Sequence, residues 1–224
     1  MNSAIKAAAF AAIGAFALAG SAGATQIFST GYDTPNGDGQ ANGGAFNYWD
    51  KSYTGAGSVT TDGAYLSGGS GDLTDGIVAS DYWYNVENAA GTGPYVGWHN
   101  FATANPLLTF HFAPSQTITS IGIHFDNSYV GGVVAPFQIL VDGVSHAYTP
   151  PIPQTIGWSY LSGLNLTGNS HTIQFKQDPN RWTFVSEITF DGRAIPEPAT
   201  WGLMILGFGA AGSMLRRRRI ANAA

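Results

Sequence analysis

Stretch after stretch of this chain alternates apolar and polar residues with a period of two. That pattern confines it to β-structure, because only a strand turns successive side chains to opposite faces. In HTIQFK, Ile173 and Phe175 face one way while Thr172, Gln174 and Lys176 face the other. In TFVSEITF, Phe184, Ile188 and Phe190 share a face, and in TSIGIHF so do Ile121, Ile123 and Phe125. The strands expected on this basis are Gln26–Tyr32, Ala45–Tyr53, Ser58–Ser67, Leu107–Phe112, Thr117–Phe125, Phe137–Val141, Ser145–Tyr148, Trp158–Leu166, His171–Lys176 and Thr183–Phe190. Asp142-Gly143 between Val141 and Val144 is a hairpin tip. No internal segment has a helical period beyond a single turn near Asp81–Glu87, and no repeat recurs at a fixed spacing. Many short strands punctuated by Gly, Pro, Asn and Asp predict an all-β chain folded as a β-sandwich or jelly roll. The glycine- and asparagine-rich part of residues 25–60, TPNGDGQANGG, is expected to be a long exposed loop.

Composition narrows the setting. Charged residues make up only 10% and aromatics 13%, with 30 glycines, which suits an all-β extracytoplasmic protein better than a helical one. The absence of cysteine excludes a disulfide framework, a thiolate metal site and a cysteine nucleophile. Residues 25–195 carry four basic residues (Lys51, Lys176, Arg181, Arg193) against 13 acidic ones, a formal charge of −9. Phosphate backbones would be repelled, so nucleic acid is not an expected partner. Cations and neutral sugars remain compatible with that charge.

The two ends read as addresses. Residues 1–24 have a basic start at Lys6, an apolar run from Ala7 to Leu18, and small residues at Ala22 and Ala24 for signal peptidase. A signal helix followed by a body domain over residues 25–193 is the expected organisation. At the other end, Pro196-Glu197-Pro198 precedes an uncharged run at residues 201–215 that begins with Trp201. Arg216, Arg217, Arg218 and Arg219 follow directly. As a helix that run covers about 22 Å, short of a bilayer core of ~30 Å, a gap that snorkelling arginines and local thinning can close. The arginines form a stop-transfer block that stays cytoplasmic.

The triplet, the apolar helix and the arginine cluster, in that order over residues 195–220, resemble the PEP-CTERM sorting signal of Gram-negative bacteria. The variant resembled is the one in which Trp follows the triplet after two residues, here Trp201, although Gly202 stands where that variant has Ala. The resemblance implies recognition by an exosortase and processing near the triplet. It also implies export across the inner membrane, a transient membrane anchor through the C-terminal transmembrane helix, and then a place at the cell surface or outside the cell.

The body resembles a galactose-binding-like, discoidin-type jelly roll. The matching residues are Leu73-Thr74-Asp75-Gly76, Thr117-Ile118-Thr119-Ser120-Ile121 and Ser186-Glu187. That resemblance implies a structural calcium held by Asp75 and Glu187, with Asp72 and Asp81 as helpers. The competing reading is an Asp that caps its own turn and a Glu facing solvent.

Aromatic residues are the remaining signal, since exposed flat rings stack on sugar faces. Trp158 and Tyr160 lie on a strand and are expected in the core. The loop residues Trp83, Trp98 and Trp182, with Arg181 beside the last, are the expected ligand-binding group. The five histidines (99, 111, 124, 146 and 171) make no zinc-type spacing, and neither a nucleophile elbow nor a phosphate loop is present. The expected function is an exported surface or matrix protein that binds extracellular polysaccharide and has no catalytic activity. A secreted carbohydrate-active enzyme and a purely structural matrix or adhesion protein are the alternatives.

Overall fold

The computed structural model describes residues 25–39, 44–194, 202, 204–209 and 211–212. The signal segment with Ala22 and Ala24, the triplet Pro196, Glu197 and Pro198, Trp201, and the arginines Arg216 to Arg219 lie outside the described residues. The described positions between 202 and 212 are helical, with Ile205, Leu206 and Phe208 exposed. Among the described residues no helix is long and apolar enough to cross a membrane.

The body is a β-sandwich of nine strands: β1 (Thr25–Ile27), β2 (Gly31–Pro35), β3 (Tyr65–Gly69), β4 (Val96–His99), β5 (Leu107–Asn127), β6 (Gln138–Val141), β7 (Val144–His146), β8 (Thr155–Lys176) and β9 (Trp182–Ala194). One four-residue helix, α1 (Trp83–Val86), precedes β4. All strand pairings are antiparallel, and the main path runs β1-β9-β5-β8-β6-β7, with β2, β3 and β4 attached beside it.

β5 and β8 absorb two expected strands each. Their register shifts between His111 and Gln116, a bulge or irregularity that separates the two halves of each long strand. Ile121, Ile123 and Phe125 are fully buried, as their shared face requires, and Ile173 and Phe175 join them in the main core.

β9 departs from strict alternation. A register shift against β5 falls between His124↔Glu187 and Phe125↔Val185, which leaves Ser186 as an extra residue. Beyond that bulge Val185, not Phe184, enters the main core with Ile188 and Phe190. Phe184 belongs instead to a second aromatic cluster with Tyr48, Trp83 and Tyr95. One inserted residue changes which face each later side chain occupies.

The expected exposed loop and the strand at Ala45–Tyr53 are both corrected. Asn36, Gly37 and Asp38 are buried, as are Tyr48, Asp50 and Tyr53. Asn36 Oδ1 accepts the backbone N–H groups of Gly37 and Asp50, both at 2.9 Å. Asp38 accepts the His99 N–H at 2.6 Å and the Thr103 hydroxyl at 2.7 Å. Side chains thus satisfy the buried backbone that a ladder would otherwise serve. A Cβ at Gly37 would stand 1.8 Å from the Tyr48 carbonyl oxygen, so only glycine permits this approach.

Trp158 and Tyr160 are corrected as well. In register they oppose His124 and Gly122, whereas Ser159 and Leu161 oppose Ile123 and Ile121. Opposed residues share a face. Ser159 and Leu161 are therefore the inward pair, and the two rings point outward.

Candidate functional site

The end of β5 organises one rim of the sandwich. Asp126 is fully buried there, and its carboxylate accepts the Trp83 N–H at 2.8 Å and the Ser128 N–H at 2.7 Å. Burial pushes its pKa above the ordinary value. Asn127 donates to the Pro151 carbonyl at 2.7 Å and accepts the Ala135 N–H at 3.0 Å. Two adjacent side chains thereby tie together α1, the β5–β6 connection and the β7–β8 connection. Tyr82 closes the same rim by donating its hydroxyl to the Gln154 carbonyl at 2.6 Å.

The connection then turns sharply. Tyr129 has φ 65°, a left-handed conformation costly for a bulky residue, and its N–H donates to the Val133 carbonyl at 2.9 Å. The strained turn leaves the Tyr129 ring 50% exposed, near Phe137 at 61%.

Three depressions meet around this turn. The largest, about 660 Å³, is lined by Tyr129, Phe137, His146, Tyr148, Asp178 and Arg181 among others. The second, about 350 Å³, lies between Trp83 and Trp182 over a floor of Tyr48 and Phe184. The third, about 360 Å³, lies between the Tyr82–Tyr84 pair and Tyr129. The Tyr82 and Tyr84 rings are stacked at 5.5 Å between centroids.

The expected ligand residues divide. Arg181 is exposed on the wall of the large cleft. Trp83 and Trp182 wall the aromatic cleft, each held edge-on by Tyr48, at 5.8 and 5.1 Å between centroids. Trp98 is corrected: it is fully buried, packs on Phe175 at 6.1 Å, and donates its indole N–H to the Pro35 carbonyl at 2.8 Å. It sits on β4, a short strand whose sequence VGWH carries too little alternation to be recognised. Sequence reasoning missed Asp126, Asn127 and Tyr129. The signal available for them was an Asp-Asn-Ser run closing an alternating strand, a common turn former.

The proposed calcium pair lies in a separate cleft, lined by both Asp75 and Glu187. Glu187 Oε2 accepts the Gly76 N–H at 2.9 Å, and Asp75 Oδ1 accepts the Ile77 N–H at 2.8 Å. One oxygen on each carboxylate is left over. Burial, with the charge of Asp75 pushing the same way, raises Glu187 to about 7. Two carboxylates in one cleft are the type of oxygen ligand a hard cation takes, and such an ion would need its remaining ligands from elsewhere. Among the described residues no group of three or more His, Asp or Glu could hold a metal ion. Asp72 is engaged elsewhere, with Ser52 and beside Asp50, and Asp81 accepts from Tyr82 N–H and Asn85.

Comparison with known proteins places the body. The sequence model of the discoidin domain-containing receptor 1/2 DS-like domain matches residues 29–150, more than half of the 224-residue chain. The chain belongs to the DS-like domain family. A second model, the PEP-CTERM protein-sorting motif, matches residues 194–219, which marks this DS-like protein for export and exosortase-mediated surface sorting. No curated protein matches the chain. Among solved structures, the CBM32 of AlyQ in complex with 4,5-unsaturated mannuronic acid is similar at 12% identity, over 74% of this chain and 97% of that one, with a TM-score of 0.42. A family 32 CBM from C. perfringens in complex with galactose is similar at 15% identity, over 45% of this chain and 79% of that one, with a TM-score of 0.32. A fucolectin from striped bass (Morone saxatilis) serum is similar at 11% identity, over 76% of this chain and 80% of that one, with a TM-score of 0.37.

Proposed function

We propose that this DS-like protein binds glycan through the rim around Tyr129 and does so outside the cell. The observation that carries the reading is the large cleft. An exposed guanidinium with no side-chain partner among the described residues, Arg181, stands there with the exposed rings of Tyr129 and Phe137. Rings supply stacking surface for a sugar face, and a guanidinium donates to hydroxyl or carboxylate oxygens in fixed directions. Asp126 and Asn127 hold the loops in place before any ligand arrives, which lowers the ordering cost of binding.

Binding without catalysis is favoured by the acid inventory. Asp178 is the one carboxylate lining the large cleft, whereas glycoside hydrolysis by its usual routes takes two. The sorting motif supports the setting. Signal peptidase removes residues 1–24, the C-terminal helix anchors the chain transiently in the inner membrane of a Gram-negative cell, and an exosortase then releases it to the surface or the extracellular polysaccharide. A structural calcium at Asp75 and Glu187 braces the body.

A glycan array probed with the exported protein tests this. Wild type should give a defined set of positive sugars, and Arg181→Ala should lose about tenfold in affinity for them. An array without positives, or an unchanged Arg181→Ala profile, removes the rim as the binding site.

A further inference from the structure

Away from the rim, the outer face of β8 carries Trp158 and Tyr160 two residues apart, their rings 6.0 Å between centroids and 18° from parallel. Tyr160 is 56% exposed and Trp158 is half-buried. The Tyr160 hydroxyl makes no hydrogen bond among the described residues. Two features hold the rings where they are. His124 packs edge-on against Trp158 at 5.4 Å and is itself fixed to the Ser186 hydroxyl at 2.8 Å. Beneath the rings lies Gly122, where a Cβ would stand 3.0 Å from Tyr160, 3.3 Å from Trp158 and 2.6 Å from the Thr189 hydroxyl. The two rings therefore lean over β5 into space that any other residue would fill.

We propose that Trp158 and Tyr160 form a second sugar-binding surface, a platform that stacks on neighbouring pyranose rings within a neutral polysaccharide chain. Charge and area choose this occupant. Trp158, Tyr160, Gly122 and Thr189 are all uncharged. Asp191, further along the same face of β9, is tied to the Ser120 hydroxyl at 3.0 Å. An acidic polymer would meet a body of formal charge −9, and a neutral polyhydroxylated one would not be repelled. One Trp and one Tyr offer at most ~500 Å², below the ~800 Å² per partner of a lasting protein interface. Flat rings flanked by the hydroxyls of Tyr160 and Thr189 match the apolar face and polar edge of a pyranose. Spacing of the rings along the strand is comparable with the length of one sugar unit, so the surface suits an internal stretch of chain. None of the residues lining the rim clefts takes part.

Affinity electrophoresis of the full-length chain in detergent, through gels containing hydroxyethylcellulose, galactomannan or a soluble β-1,3-glucan, tests the platform. Wild type should be retarded by at least one polymer, and Tyr160→Ala should weaken that retardation about tenfold with its melting temperature kept. Gly122→Ala, which pushes a methyl under both rings, should weaken it as well. Retardation by none of the polymers overturns the proposal, and so does wild-type retardation of both Tyr160→Ala and Trp158→Ala. Sedimentation showing a dimer that Tyr160→Ala dissociates would reassign the surface to a second copy of the chain. The two sugar sites fail separately: loss with Arg181→Ala alone removes the platform, and loss with Tyr160→Ala alone removes the rim.

Discussion

The carboxylate of Asp126, at the end of β5, accepts the backbone N–H of Trp83, at the start of α1, at 2.8 Å in a fully buried position. A single side chain thus joins segments 43 residues apart and sets the spacing of the rim clefts. Replacing Asp126 with Ala leaves two buried N–H groups unpaired, those of Trp83 and Ser128. Each costs about 1–3 kcal/mol. Thermal denaturation should show Asp126→Ala melting roughly 10 °C lower than wild type, and an unchanged transition would mean the loops are held by something else.

Trp98 separates packing from recognition. Trp98→Phe keeps a ring in the core but loses the hydrogen bond to the Pro35 carbonyl and some volume, at about 1–3 kcal/mol. Denaturant titration should report that loss while glycan binding stays at the wild-type level. Reduced binding by a fully folded Trp98→Phe protein would return the residue to the ligand site.

Burial raises several carboxyls: Asp50 to about 6, Asp72 to about 7 with the charge of Asp50 adding, and Glu87 to about 8. Their unfolded values are 3.8 for Asp and 4.5 for Glu. The folded protein therefore holds protons that the unfolded chain releases, so this stability is full below about pH 4 and is lost as pH rises from there through 6 to 8. His124 acts in the opposite sense. Burial lowers it to about 4, so stability also falls as pH drops below its ordinary 6.5. Between about pH 4.5 and 6 three carboxyls outweigh one histidine, so melting temperature should be highest at about pH 4 and fall toward pH 8. Asp72→Asn, which keeps an acceptor for Ser52, should flatten the alkaline arm, and a melting temperature that climbs from pH 6 to 8 would contradict this account.

Calcium bound at Asp75 and Glu187, as proposed, would change the picture at Glu187. A bound cation would hold Glu187 ionised and crosslink it to the turn at Asp75. Stability should rise by about 2.7 kcal/mol at a hundredfold excess over Kd. Chelator should lower the melting temperature of wild type and leave Glu187→Gln unmoved. Identical curves for wild type with calcium and with chelator would exclude the ion.

The tail predicts a trafficking defect. The Pro-Glu-Pro sequence disfavours helix beside the apolar run, which would suit a processing enzyme. Changing Pro196, Glu197 and Pro198 to Ala should leave an unprocessed, membrane-held precursor in cell fractionation. Replacing Arg216 to Arg219 with Asn should impair retention before processing, and normal maturation of both variants would defeat the sorting mechanism.

Period-two alternation by itself determined the β class and the shared faces of Ile121, Ile123 and Phe125 and of Ile173 and Phe175. The sorting motif at residues 194–219 was equally local, because such a motif is read as linear sequence. Alternation names two faces of a strand without saying which is inward. On β8 the larger apolar residues, Trp158 and Tyr160, lost that place to Ser159 and Leu161, because register with Ile123 and Ile121 decided it. On β9 one bulged residue moved Phe184 out of the main core and Val185 into it. Burial of Trp98 and the gathering of Asp126, Asn127, Tyr129 and Arg181 at one rim likewise depend on pairings between distant segments. Hydrogen-bond register, bulges and buried side chains that tie loops together are properties of the assembled sheet, and only the tertiary structure decided them.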